Sequence, residues 1–109
     1  MTDISRRDVT LGLAALGLVA ALPARAAASH AVAITNFKFD PADLTIAAGD
    51  TVTFTNTDGA PHTVTDDAGG FDTGKLNKGA SGKLTFATKG EFHYHCNFHR
   101  NMKAVIRVT

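Results

Sequence analysis

The sequence predicts an all-β protein, a Greek-key β-sandwich of seven or eight strands. From residue 31 onward, short runs rich in β-branched and aromatic residues are separated by Gly, Asp, Asn and Pro, which favour turns. Several runs place an apolar residue at every second position, the period of a strand with one buried face. No segment after residue 30 has the period of an amphipathic helix. These features together favour two packed sheets joined by turns and loops.

The strands follow from this alternation in chain order. The first run, 31–39, changes the register of its bulky residues at Asn36, which predicts a bulge or a strand that changes sheets. In the run 91–96, His93 and His95 alternate with bulkier residues and are expected to face solvent. The other strands are predicted at 44–47, 51–55, 63–65, 83–86 and 104–108. Aromatic residues are expected to supply most of the core: Phe37, Phe39, Phe54, Phe86, Phe92 and Tyr94.

Residues 1–26 have the features of a bacterial export signal. A twin-arginine pair at 6–7 precedes an apolar run of 12 residues at 11–22, and an A-x-A cleavage site follows at 24–26. The alternative is an uncleaved membrane anchor, but a helix needs about 20 apolar residues to span a bilayer. The sequence therefore predicts a cleaved twin-arginine signal over 1–26 and a mature periplasmic domain over 27–109.

The predicted mature domain is small and has no net charge. Loss of the signal removes three basic and two acidic residues, which takes the formal charge from +1 to zero with His neutral. No basic stripe indicates a nucleic-acid partner. The one cysteine, Cys96, cannot form an intramolecular disulfide, although a domain of this size often needs a disulfide or a metal for stability. The alanine-rich segment 24–29, with His30 at its end, is expected to be a tether.

The residues that carry chemistry lie near the C-terminus, where Cys96, His99 and Met102 follow one another at three-residue intervals. A second histidine, His62, follows a turn-rich loop after an earlier strand. Taken singly, these are common structural residues: a buried cysteine, surface histidines and a methionine in the core. Their joint occurrence favours a metal site, because two His, one Cys and a weakly bound Met form the ligand set of an electron-transfer copper centre. A structural zinc site would require four strong ligands.

Six segments carry a family resemblance: Asn36–Pro41, Leu44–Ile46, Gly49–Asn56, Pro61–Val64, Phe71–Gly74 and Phe92–Cys96. Through them the chain resembles the cupredoxins, small type 1 blue copper proteins, over essentially all of residues 31–109. The Cys-x-x-His-x-x-Met spacing is similar to that of amicyanin, and plastocyanin has a longer gap before its Met. The resemblance implies a cupredoxin-like sandwich and one copper ion that alternates between Cu(I) and Cu(II). It also implies four copper ligands: His62, Cys96, His99 and Met102.

Two departures from the family pattern concern the ligand loops. Relatives with this loop spacing carry prolines around the second histidine, whereas neither 97–98 nor 100–101, on the two sides of His99, contains proline. Many relatives place Asn directly after the first histidine, where it helps to hold the two ligand loops together. Thr63 stands at that position in this chain, and its hydroxyl is expected to take the same role.

The sequence predicts a periplasmic one-electron carrier that is not an enzyme, because the ligand loops contain no nucleophile–base or carboxylate pair. Its expected partners are larger redox proteins, an electron donor and an acceptor. They are expected to dock briefly on an apolar rim of Ala60, Pro61, Phe98 and Met102 around His99, with the chain acting as a monomer. The alternative is a periplasmic copper-binding or copper-delivery protein, although the chain lacks the Met- and His-rich tracts that such proteins often use. A third possibility is an accessory redox domain of an oxidase or reductase system.

Overall fold

The computed structural model describes residues 26–109, which form eight strands in two four-stranded sheets. The predicted export signal over 1–26 lies outside the described residues, apart from Ala26. Within the described part of the chain, no helix has the length and apolarity to cross a membrane. The strands are β1 (Ser29–Thr35), β2 (Lys38–Asp40), β3 (Asp43–Ile46), β4 (Asp50–Asn56), β5 (Thr65–Asp66), β6 (Ser81–Phe86), β7 (Gly90–His95) and β8 (Lys103–Val108).

Each sheet combines one parallel pair of strands with antiparallel neighbours. The first sheet has the order β2-β1-β4-β6, in which β1 and β4 are parallel. The second has the order β3-β8-β7-β5, in which β3 and β8 are parallel. The other neighbouring strands are antiparallel. The predicted all-β sandwich is therefore confirmed, with two mixed sheets. The short loop between β7 and β8 contains Cys96, His99 and Met102.

The core draws on both sheets because their strands alternate buried and exposed positions. In β4 every second residue is buried, from Asp50 to Asn56. Tyr94 of β7 packs edge-to-face on Phe39 and Phe54 of the other sheet, with ring centroids 4.8 and 5.6 Å away. Of the aromatic residues predicted for the core, Phe39, Phe54, Phe86 and Tyr94 are buried, and Phe92 is half-buried.

The remaining aromatic residue, Phe37, is not a core residue, since it is 50% exposed. Strands β1 and β2 form an antiparallel hairpin in which Thr35 pairs with Lys38, so Asn36 and Phe37 are its two-residue loop. Their φ angles of 52° and 59° are those of a type I′ turn. The predicted bulge or sheet change at Asn36 is therefore wrong. The bulky positions change register because the chain reverses within one sheet.

His30 lies in β1 rather than in a tether. Its Nε2 is 2.9 Å from Oδ2 of Asp50, which is completely buried at the start of β4. The backbone N–H groups of Ala28 and Ala47 donate to the same carboxylate at 2.9 and 3.1 Å. A buried carboxylate requires such partners. Ala28 and His30 are two of these partners, so the segment predicted to be a tether is part of the folded domain.

Tyr94 has a buried hydroxyl for which the described residues offer no hydrogen-bond partner, and burial raises its pKa well above 10. We expect Tyr94→Phe to stabilise the metal-free protein by about 1 kcal/mol, because an unsatisfied buried polar group is removed. The unfolded chain ionises at about pH 10, below the pKa of the folded state, so wild-type stability should fall above that pH. The Phe variant should lose less stability than the wild type between pH 7 and pH 10.5. Urea unfolding at pH 7 and at pH 10.5 measures both effects, and a less stable Phe variant at pH 7 would contradict the first.

Candidate metal centre

Three of the predicted ligands converge at one end of the sandwich. Sγ of Cys96 lies 3.7 Å from Nδ1 of His62 and 3.8 Å from Nδ1 of His99. All three donor atoms lie within 4.8 Å of one another. Donors that each bond one metal at about 2.0–2.3 Å in a plane lie roughly 3.5–4 Å apart. The spacing therefore fits a single metal ion held by one thiolate and two imidazoles.

The fourth predicted ligand, Met102, closes the same loop. Its backbone carbonyl accepts a hydrogen bond from the N–H of Cys96 at 3.2 Å, and its own N–H donates to the carbonyl of His99 at 2.9 Å. The Met102 side chain is buried. These bonds hold residues 96–102 in a tight turn between β7 and β8. The fold thus brings all four predicted residues to one place.

The centre is buried except at one edge. His62 and Cys96 are 0% exposed, whereas His99 is partly exposed. Burial keeps bulk water away from the thiolate, which would otherwise be open to oxidation. Of the four predicted ligands, His99 is therefore the one whose side chain reaches the surface.

Thr63 joins the two loops that carry the ligands. Its N–H donates a hydrogen bond to Sγ of Cys96 at 3.4 Å. Its hydroxyl oxygen accepts a hydrogen bond from the N–H of Asn97 at 2.8 Å. One residue thus contacts the sulfur and also ties the His62 loop to the Cys96 loop, as expected from its position after the first histidine.

Thr63→Val tests this connection, because valine keeps the side-chain shape and removes the hydroxyl. We expect the metal-free protein to lose about 1 kcal/mol of stability, since the Asn97 N–H loses its acceptor. Copper should also leave the variant faster than it leaves the wild type. Thr85→Val is the matched control, because the Thr85 hydroxyl pairs with that of Thr51 on an exposed strand surface. Equal losses in the two variants would contradict a special role for Thr63.

Asp58 fixes His62 from the side opposite the sulfur. Its Oδ2 lies 3.0 Å from Nε2 of His62, so a proton on Nε2 leaves Nδ1 free to face Cys96. The carboxylate also accepts the N–H groups of Asn36 and Phe37 at 2.8 and 2.9 Å. The bond from Phe37 is the main cause that lowers the Asp58 pKa, partial burial opposes it, and the Asn36 and His62 bonds act in the same direction as Phe37. Asp58 is not among the functional residues that the sequence predicts, although it stands four residues before His62.

Phe37 lies across both candidate imidazoles. Its ring centroid is 5.2 Å from that of His62 and 4.6 Å from that of His99, with interplanar angles of 88° and 90°. Among the residues predicted for the apolar rim, Phe98 and Pro61 are exposed and Ala60 is half-buried, whereas Met102 is buried and does not belong to the rim. Phe37 belongs to this exposed apolar surface, although the sequence predicts it as a core residue.

The other strand histidines lie outside the donor cluster. His93 is exposed, as predicted, and its Nε2 lies 3.1 Å from Glu91. The His95 side chain is only 15% exposed, because Asp67 and Asn97 contact its two ring nitrogens at 2.5 and 3.0 Å. His95 is therefore a structured polar residue at the end of β7 rather than a free surface histidine.

A small β-sandwich whose end gathers two imidazoles, a thiolate and a thioether-bearing residue defines the class of type 1 copper proteins. The profile of the cupredoxin-like domain matches residues 9–108. The chain belongs to the cupredoxin family, and the cofactor of its centre is one copper ion.

Individual relatives agree with this placement. A chloroplastic plastocyanin of Tetradesmus obliquus is 36% identical over 118 aligned positions, which cover 97% of this chain and 81% of the relative. One of Physcomitrium patens is 34% identical over 84 positions, 65% of this chain but only 50% of the moss protein. A Cu(I) form of an amicyanin mutant superposes with a TM-score of 0.71 at 30% identity, covering 79% of this chain and 87% of amicyanin. A purple cupredoxin from Nitrosopumilus maritimus gives 0.67 at 28% identity, covering 73% and 99%.

Proposed function

We propose that this protein is a one-electron carrier whose copper ligands are His62, Cys96 and His99, with Met102 as a weak axial ligand. The observation that carries the proposal is the convergence of the three donor atoms within 4.8 Å at the end of the sandwich. When bound, copper supplies the single electron by alternating between Cu(I) and Cu(II). A thioether, a soft and weak donor, suits the axial position in both oxidation states.

In this function the protein holds the donor side chains in fixed positions. Thr63 ties the two ligand loops together, Asp58 holds the His62 ring, and the 96–102 turn is closed by its own backbone hydrogen bonds. Donors that do not move between oxidation states lower the reorganisation that accompanies electron transfer. With these four side chains as donors, the protein itself would supply every ligand of the ion, which suits electron transfer rather than conversion of a substrate.

The surface around His99 supports brief docking with larger redox proteins. Phe37 and Phe98, each about half exposed, lie at this end of the molecule beside Pro61. Small and partly apolar contacts of this kind suit short-lived electron-transfer complexes. Arg100 and Lys103 are exposed nearby and favour a partner with negative charge. The protein acts in this proposal as a monomer.

The proposed location is the periplasm, reached by the twin-arginine route. The arginine pair at 6–7, the apolar run and the A-x-A site support removal of residues 1–26, which leaves 27–109 as the mature domain. A single cysteine in an oxidising compartment is consistent with a thiolate that a metal protects.

The decisive experiment loads purified residues 27–109 with one equivalent of Cu(II) and records visible and EPR spectra. We expect an intense visible band, a narrow copper hyperfine splitting and reversible one-electron voltammetry, because a thiolate binds the metal. A colourless protein that binds only Cu(I) would contradict the carrier function and favour copper delivery instead. Retention of full-length protein in the cytoplasm of a twin-arginine-competent bacterium would contradict the location.

A further inference from the structure

We infer that Phe37 is a positioning residue of the metal centre: its ring, held in place by Asp58, covers both imidazoles and fixes their orientation. The role at copper rests on the proposed function. The packing against His62 and His99 is a property of the protein itself. Phe37 is therefore distinct from Phe98, the other exposed large hydrophobic residue of the described chain, which makes no ring contact with either histidine.

The backbone at Phe37 is unfavourable for its residue type. A type I′ hairpin needs positive φ at both loop positions, and Asn-Gly is the preferred pair. Phe37 has a φ of 59° where glycine would be expected. A bulky side chain in this region costs on the order of 1 kcal/mol or more. The half-exposed ring also forgoes burial. The contacts of the Phe37 ring with the two histidines offer a functional reason for this unfavourable backbone conformation.

The compensation comes from one carboxylate. Asp58 accepts the N–H groups of both loop residues, Asn36 and Phe37, and contacts Nε2 of His62. Asp58 is in turn held by its own N–H, which donates to Oδ1 of the buried Asn56 at 2.8 Å. The hairpin loop and the His62 ring are thereby connected through the carboxylate of Asp58.

The ring contacts extend this support to His99. The Phe37 ring stands nearly perpendicular to both imidazoles, the edge-to-face arrangement that aromatic pairs prefer. His99 lies in a loop that contains no proline to stiffen it, since the three prolines of the chain stand at 23, 41 and 61. Phe37 adds, from the β1–β2 hairpin, a constraint on the His99 ring beyond the backbone hydrogen bonds that close the 96–102 turn.

The test compares Phe37→Asn, Phe37→Tyr and the control Phe98→Asn. Asparagine tolerates positive φ, so Phe37→Asn removes the ring without breaking the turn. Tyrosine keeps the ring. In the metal-free protein, mass spectrometry follows modification of each histidine by diethyl pyrocarbonate, with His30, His93 and His95 as internal references. In the copper-loaded protein, a Cu(I) chelator gives the rate of copper release, and EPR gives the hyperfine splitting.

We expect Phe37→Asn to raise both the modification rate of His99 and the copper release rate about tenfold, because two ring contacts worth a few-fold each are lost. The EPR splitting should change as well. Phe37→Tyr should restore wild-type values, and Phe98→Asn should change the rates by less than about twofold. Wild-type modification rates in Phe37→Asn, or an equal rise in Phe98→Asn, would overturn the inference. A wild-type protein without the blue copper spectrum would instead defeat the proposed function, and the modification rates would still decide the role of Phe37.

Discussion

Cys96→Ser is expected to abolish the intense visible band of the Cu(II) protein, the largest spectroscopic effect of any single substitution in this chain. The band requires a thiolate bound to copper. A serine hydroxyl stays protonated at neutral pH and offers a hard oxygen in place of a soft sulfur. The Thr63 N–H, which donates to Sγ at 3.4 Å, would then face a neutral hydroxyl. Absorption and EPR spectra at one equivalent of Cu(II) measure the loss, and circular dichroism checks that the variant is folded.

The same substitution should separate metal stabilisation from fold stability. A ligand that binds only the folded state stabilises it by about 4 kcal/mol when its free concentration is 1,000 times the dissociation constant. Copper should therefore raise the melting temperature of the wild type substantially and that of Cys96→Ser far less. Zinc-loaded wild type is the control for a colourless metal in an intact donor set. A Ser variant that stays blue would contradict thiolate ligation, and equal melting points of metal-free and copper-loaded wild type would contradict stabilisation by the metal.

The sequence predicts the strands, and the closeness of three of the four candidate donors, because both depend on short-range patterns. Alternation in β4 marks Val52 and Phe54 as core residues, and both are buried. The spacing of Cys96, His99 and Met102 lies within one tight loop, so no long-range pairing is needed to bring them together. Short-range patterns of this kind can be recognised in the sequence as periodicity and spacing.

Apart from Thr63, whose role the family resemblance implies, the supports around the centre could not be predicted, because they join residues that are distant in sequence. Asp58 lies more than 20 residues after the hairpin loop that it holds. Away from the centre, at the start of β4, His30 meets Asp50 only because β1 and β4 are parallel neighbours, a pairing that alternation does not reveal. Phe37 was misassigned for a different reason. Hydrophobicity predicts burial, whereas its place in a glycine-free two-residue turn puts the ring on the surface against two histidines.

Asn56→Ala should reduce fold stability more than the Tyr94, Thr63 and Phe37 substitutions above, because one buried side chain organises the loop that leads to His62. Asn56 is completely buried at the end of β4. Its Nδ2 donates to the carbonyls of Ala60 and Leu76, both at 2.8 Å, and its Oδ1 accepts the N–H of Asp58 at 2.8 Å. Each such bond contributes about 1 kcal/mol, and a buried partner left unpaired costs more. We expect a loss of about 3 kcal/mol in urea unfolding of the metal-free protein.

The loss should reach the metal centre, because the same loop positions Asp58 against His62 and the hairpin. Copper release from Asn56→Ala should therefore be faster than from the wild type, in proportion to the freedom that the His62 ring gains. Asn77→Ala is the matched control: it removes the same amide from an exposed position in the loop that precedes β6. Stability loss in Asn56→Ala without faster copper release would show that Asn56 supports the sandwich but not the centre. Equal stability losses and equal copper release rates in the two alanine variants would contradict the role of the three side-chain hydrogen bonds that Asn56 makes.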